Sequence, residues 1–103
     1  MTIFLGLHKS DKPDKKYFVE LKGASGHTKR VYFGAAGMND YTTFNALERD
    51  ERRRRYLFRH SAREDWNNPE TAGFWSRHIL WGDTPNIQTN LTKTLKKFNL
   101  KHT

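Results

Sequence analysis

Residues 67–82 read NNPETAGFWSRHILWG and are the most informative part of the chain. Asn68 is a residue type that caps helices, Pro69 suits the first helical position, and Gly82 suits a helix end. Five of the nine residues from 73 to 81 are large and apolar, so they would cover most of a helix circumference. A helix that is apolar nearly all round is buried. The pattern therefore predicts a buried central helix over residues 69–81.

The residues before this helix predict a small sheet. Three short runs, 2–7, 17–21 and 29–33, contain the β-branched and aromatic residues that favour strands. Gly23 and Gly26 lie between the second and third runs, where glycine tolerates the backbone angles of a tight turn. The second and third strands are therefore predicted to pair as an antiparallel hairpin.

A long charged helix is predicted between the sheet and the central helix. Phe44, Leu47 and Phe58 recur at helical spacing, which indicates a helix over residues 45–63. Three acid–base pairs stand four residues apart in the order that favours helices. They are Glu48 with Arg52, Asp50 with Arg54, and Glu51 with Arg55.

A last helix is predicted over residues 85–98. Its one-sided apolar stripe would face the interior of the domain. The stripe consists of Ile87, Leu91, Leu95 and Phe98. Asp83 or Thr84 would cap this helix. Together these elements predict a single α+β domain over residues 1–103, with a three-stranded antiparallel sheet followed by three helices.

Composition excludes several classes of protein. Aromatic residues make up 14% of the 103 residues, which is unlike a disordered chain. The absence of cysteine excludes disulfides and thiol catalysis. No apolar run reaches the roughly 18 residues that a membrane-spanning helix needs. We therefore expect an intracellular protein that makes no use of a membrane.

The positive charge falls in three segments. The chain carries 19 Lys and Arg against 11 Asp and Glu, a formal net charge of +8. Residues 8–30, 45–63 and 84–103 each have a net charge of +4, and the segments between them are negative. Such a balance indicates an anionic partner.

Arginines of the charged helix are the first candidates for contact with that partner. Arg52, Arg55, Arg59 and Arg63 would form a continuous ridge, and guanidinium groups bind phosphates through paired hydrogen bonds. The alternatives are a solvated face with internal salt bridges and a surface that docks on an acidic protein. Tyr17 and Tyr32 were further candidates, for base stacking, if their strands have an open face. The nucleic-acid-binding residues predicted from sequence are Arg49, Arg52, Arg53, Arg55, Arg59, Arg63, Lys29, Arg30, Lys93 and Lys97.

The sequence contains no recognisable catalytic motif. His60 and Glu64 share a helix face and precede Asp65, but no further ligand at fixed spacing completes a metal site. Gly34 to Gly37 lacks the Gly-Lys-Ser/Thr of a phosphate-binding loop. His78 is interpreted as a hydrogen-bonded core histidine. We therefore predict no catalytic residues, no metal and no cofactor, and a protein that is not an enzyme.

Three ordered motifs carry a resemblance to a known family. They are FGxxGxxDYT over residues 33–42, RRRYLxRH over 53–60 and NNPxTAGFWSRxILW over 67–81. Their combination resembles a small uncharacterised family found in large DNA viruses of algae and amoebae and in some marine bacteriophages. The resemblance implies a viral origin, with action in the host cytoplasm or nucleus or in the virion. It implies no catalytic residues.

Two functions are consistent with these features. The first is a viral nucleic-acid-binding protein, with DNA favoured, that contacts phosphates through the arginine-rich helix with little sequence choice and serves genome packaging. The second is a small structural virion protein, a minor capsid or cement-like component, that docks on acidic capsid subunits.

Overall fold

A computed structural model describes the backbone of residues 2–102 and the side chains of residues 2–101. Over this range the chain forms one four-stranded sheet and three helical elements. The strands are β1 (Ile3–Lys9), β2 (Lys15–Lys22), β3 (Thr28–Ala35) and β4 (Lys101–His102). Their order in the sheet is β3-β2-β1-β4. The first three strands pair antiparallel, whereas the short β4 pairs parallel with β1. The predicted three-stranded antiparallel sheet is confirmed, and the fourth strand is an addition to it.

Side chains alternate between the two faces of the sheet along each strand, and the apolar face packs on the helices. Phe4, Val19, Leu21, Val31 and Phe33 are all buried and belong to one core cluster. Residues of the opposite parity on β2 and β3 lie on the other side, because successive side chains of a strand point to opposite faces. The sheet therefore has a core face and a second face without a helical layer.

The charged helix, α1, spans Arg49–Ser61 and is shorter than the predicted 45–63. Asn45 explains its start, since its Oδ1 accepts the backbone N–H groups of Leu47 and Glu48 at 3.1 Å and holds a turn ahead of the helix. Only Tyr56 of α1 is buried. Two of the apolar residues whose spacing predicts the helix do not pack on the core, because Leu47 is 96% exposed and Phe58 is 83% exposed.

The central helix is also shorter than predicted. It consists of α2 (Ala72–Trp75) and a π-helical segment, Ser76–Leu80, rather than one helix over residues 69–81. The hydroxyl of Thr71 caps α2 by accepting the N–H of Phe74 at 3.3 Å. Asn68 instead accepts the N–H of Glu70 at 3.0 Å and forms a turn, so the helix is capped three residues after the expected cap.

The last helix, α3 (Ile87–Lys97), begins two residues after the predicted start at residue 85 and ends one before residue 98. Asn86 is its cap and accepts the N–H of Thr89 at 2.9 Å, so the predicted caps Asp83 and Thr84 are wrong. Asn99 follows the helix with a φ of 52°, a left-handed conformation that commonly ends helices. The chain then turns back toward β1 and forms β4.

The core lies between the sheet and the central helix. Phe74, Trp75, Ile79 and Leu80 are at most 2% exposed and pack on the core face of the sheet. Leu91 of α3 completes the cluster. The predicted burial of the central helix and the α+β fold class are therefore confirmed.

Candidate nucleic-acid interface

A groove of about 520 Å³ separates the ends of β2 and β3 from α1 and the central helix. We call it the basic groove, because five cationic side chains line it. They are Lys15, Lys16, Arg52, Arg55 and Arg59. Two of the three basic sequence segments, residues 8–30 and 45–63, therefore meet there. The groove also contains two carboxylates, Asp40 and Glu64.

The loop between β3 and α1 fixes one wall of the groove. Gly34 has a φ of +82°, and a Cβ there would lie 2.8 Å from Leu80 Cδ1, so the site requires glycine. Asp40 is buried and accepts hydrogen bonds from Lys16 Nζ at 2.5 Å and from Thr42 N at 2.8 Å. This ion pair holds the Lys16 ammonium at the groove wall and offsets its charge.

Stacked rings support the groove beneath α1. The ring of Tyr56 lies 4.4 Å from that of Trp81 at an interplanar angle of 5°, and 4.1 Å from that of His60. Burial raises the pKa of the Tyr56 hydroxyl, and the nearby charge of Glu64 raises it further. Tyr56 is therefore a neutral packing residue that joins α1 to the central helix.

The arginines of α1 differ in whether they have an ion-pair partner. Arg52 pairs with Glu48 at 3.8 Å, and Arg55 pairs with Glu51 at 3.1 Å, as the sequence predicts. Arg59 has no ion-pair partner among the side chains of residues 2–101. Its guanidinium is therefore free for an external anion.

The third predicted pair does not form. Arg54 bonds to Glu51 rather than to Asp50. Asp50 accepts instead a hydrogen bond of 2.7 Å from the hydroxyl of Tyr41. Hydrogen bonds from Arg54 and then from Arg55 lower the pKa of Glu51, so this carboxylate stays charged between the two guanidinium groups.

Arg53 has a structural position rather than a place in the groove. Its Nε donates to the carbonyl oxygens of Trp81 at 3.1 Å and Gly82 at 2.8 Å, and its Nη2 bonds to Asp83 at 3.1 Å. These bonds anchor α1 to the turn after the central helix. Arg49 is also outside the groove and lies over the ring of Tyr41, with 5.9 Å between the guanidinium carbon and the ring centre.

The remaining predicted residues are spread over other surfaces. Lys29 pairs with Glu70 at 3.4 Å. Lys93 and Lys97 line a second, small depression of about 40 Å³, which shares no lining residue with the basic groove. Arg63 lies beyond the end of α1 and is exposed. The ten predicted residues therefore do not form one continuous site.

The two tyrosines considered for base stacking have different positions. Tyr17 packs against the core, with its ring 6.0 Å from that of Phe33. Tyr32 lies on the sheet face without a helical layer, where its hydroxyl donates to Asp11 at 2.7 Å. Arg30 lies on the same face, over the ring of Phe18 at 4.5 Å. Tyr32 is thus better placed than Tyr17 to stack on a base, although its hydroxyl is hydrogen-bonded to Asp11.

His60 and His78 make ordinary structural contacts. Glu64 Oε2 lies 2.8 Å from His60 Nδ1, and Glu64 Oε1 accepts from Trp66 Nε1 at 2.9 Å. His78 Nε2 lies 2.8 Å from the carbonyl oxygen of Trp66, which agrees with its interpretation as a hydrogen-bonded core residue. Within residues 2–101, no three His, Asp or Glu side chains converge as metal ligands would.

The sequence prediction missed two lysines and one aromatic residue. Lys15 and Lys16 join the arginines only because β2 begins at the groove that α1 also lines, and no local pattern reveals that juxtaposition. Phe58 serves in the sequence prediction only as evidence of helical spacing, yet it is exposed and lines a depression with three arginines. Its neighbours at i−4 and i−3, Arg54 and Arg55, were the available signal, because such residues share a helix face.

Comparison with known proteins identifies a family but no function. Residues 5–60, just over half of the chain, match a family of unknown function, DUF5754, and the chain belongs to this family. The match includes the first two motifs, at 33–42 and 53–60, and ends before the third. No curated protein and no solved structure matches the chain. No helix within residues 2–102 is long and apolar enough to cross a membrane.

Proposed function

We propose that this protein binds nucleic acid through the basic groove, mainly by phosphate contacts and with little sequence choice. The observation that carries the proposal is the convergence of five cationic side chains from two elements on one groove. Three of them come from successive turns of α1, and Lys15 and Arg59 have no ion-pair partner among the side chains of residues 2–101. Charge–charge contacts of this kind follow a phosphate backbone without reading bases.

The exposed apolar residues favour a second candidate. Leu47 is 96% exposed beside α1, and Met38 is 65% exposed at the groove. Apolar side chains next to arginines also suit contact with an acidic protein. In that case the protein would be a small structural virion component, and it would bind acidic polypeptides as well as it binds nucleic acid.

The direct test is the salt dependence of binding to a labelled single-stranded 20-mer. If the four groove cations other than Lys16, whose charge Asp40 offsets, contact phosphates, affinity should fall roughly 50-fold between about 50 and 200 mM salt, because bound counterions are released. Replacing Arg52, Arg55 and Arg59 together with alanine should weaken binding at least about tenfold at low salt and reduce the log–log salt slope by about 2.

A matched control separates the groove from net charge. Alanine at Lys22, Lys96 and Lys101 removes the same charge from exposed positions that do not line the groove. This control should keep most of the affinity and the salt slope. Equal losses in both triple variants would contradict the proposal, as would no binding at low salt. Competition by polyglutamate at the same charge concentration would favour the second candidate.

A further inference from the structure

An exposed aromatic ring stands among the arginines of α1. Phe58 is 83% exposed, and it lies with Glu51, Arg54, Arg55 and Arg59 around a shallow depression on the outer side of the helix. Exposed phenyl rings are unfavourable in water, since burying apolar surface is favourable. A ring kept in solvent beside a depression that three arginines line therefore indicates a ligand that supplies both a flat apolar surface and negative charge.

The side chains that line the depression indicate which kind of ligand fits it. Three arginines line the depression with Phe58, and the one carboxylate among its lining residues, Glu51, is already bonded to two of them. The surroundings of the ring thus stay positive. A nucleotide of an unpaired strand presents a base that can stack on the ring and a phosphate that can meet the arginines.

The depression is continuous with the basic groove. Arg55 and Arg59 line both of them, so the groove and the depression share two arginines. Phe58 follows Arg55 by three residues, about 4.5 Å along the helix axis. A strand whose phosphates occupy the groove can therefore place the next base over Phe58.

We propose that Phe58 stacks on an unpaired base, so that the protein prefers single-stranded to double-stranded nucleic acid. This inference rests on the proposed function and adds the class of nucleic acid. In a duplex the bases are already stacked inside, and extruding one costs free energy. The arginines can contact the phosphates of single and double strands alike, whereas the ring of Phe58 can stack only on a base of a single strand.

The experiment compares three ligands of equal length: a single-stranded oligonucleotide, its duplex and an abasic strand that has phosphates but no bases. Phe58→Ala should weaken binding of the single strand about 5- to 150-fold, which corresponds to one stacked base. Its affinities for the duplex and the abasic strand should not change. Phe58→Trp should retain or improve binding of the single strand.

The control is Leu47→Ala, which removes a similarly exposed apolar side chain outside the arginine cluster. It should leave all three affinities unchanged. Equal wild-type affinity for the three ligands, or an equal loss on all three in Phe58→Ala, would overturn the stacking inference while the basic groove stands. A wild-type dimer that Phe58→Ala converts to a monomer with unchanged affinity for the single strand would assign Phe58 to a second copy and overturn it too. No binding of any ligand at low salt would instead refute the proposed function itself.

Discussion

His78 is a half-buried titratable side chain held in place by aromatic packing. Its ring packs edge-on against Phe74 at 4.5 Å and Phe98 at 4.8 Å between ring centres. The carbonyl oxygen of Trp66 can only accept, so His78 Nε2 carries the proton of their 2.8 Å hydrogen bond. Burial lowers the pKa of His78 below its ordinary value of 6.5, and the charge of Arg77 lowers it further. The folded state therefore favours the neutral ring.

This pKa shift predicts a loss of stability in mild acid. The unfolded chain binds a proton at His78 near pH 6.5, whereas the folded chain resists it, so the free energy of unfolding should fall as the pH drops below about 6.5. Urea unfolding at pH 7.5, 6.5 and 5.5 would measure the decline. His78→Gln should be less stable at pH 7.5 but should show a shallower decline.

The exposed His8 provides the control for this experiment. His8→Gln should retain the decline of the wild type. An identical pH dependence in wild type and His78→Gln would contradict the assignment, because the acid sensitivity would then arise elsewhere.

At the scale of elements, α1 is held to the domain by few contacts. Tyr56 is its only buried residue, and Arg53 supplies the hydrogen bonds to the carbonyls of Trp81 and Gly82. The sequence marks Arg53 only as one of several arginines. Its role could not be predicted, because the acceptors lie 28 and 29 residues further along the chain.

We predict that Arg53→Ala loosens α1 while the sheet remains intact. Loss of the carbonyl contacts should make backbone amides of α1 exchange hydrogen faster, because helices with little buried surface open locally. Amides of β1 to β3 should keep their protection. Hydrogen exchange followed by mass spectrometry would resolve the two regions.

Arg54→Ala is the control for that change. It removes the same charge one residue later, but Arg54 is 76% exposed and, among the side chains of residues 2–101, bonds only to Glu51. Exposed pairs of this kind contribute little to stability. Faster exchange of α1 in both variants, or in neither, would show that Arg53 does not anchor the helix.

The element boundaries show how far local sequence patterns extend. The strands and the buried central helix were predictable, because alternation and apolar character depend on neighbouring residues. The helix starts were not, since Asn68 and Thr71 are both good caps and their choice depends on the turn between them. β4 was missed because a two-residue strand exists only through its pairing with Ile3 and Phe4.

At the scale of the whole molecule, folding sorts the three basic segments between two surfaces, because residues of 8–30 and 45–63 share the basic groove while lysines of 84–103 line another depression. The sequence correctly shows where charge lies along the chain and which arginines share a helix face. It does not show that Lys15 and Lys16 join the arginines of α1, or that the lysines of α3 lie around another depression. These outcomes depend on how β2, α1 and α3 pack around one core. Net charge therefore indicates an anionic partner, and only the fold selects the surface that binds it.

This sorting predicts which lysines a bound oligonucleotide covers. Acetylation of the protein with and without a single-stranded 20-mer, read by mass spectrometry, should show protection of Lys15 in the basic groove. Lys16 should react slowly in both samples, because its ammonium is bonded to the buried Asp40. Lys93 and Lys97 should react equally in both, since they line the second depression. Protection of these two lysines to the same degree as Lys15 would mean that the strand follows charge around the molecule rather than the groove, and the proposed interface would be wrong.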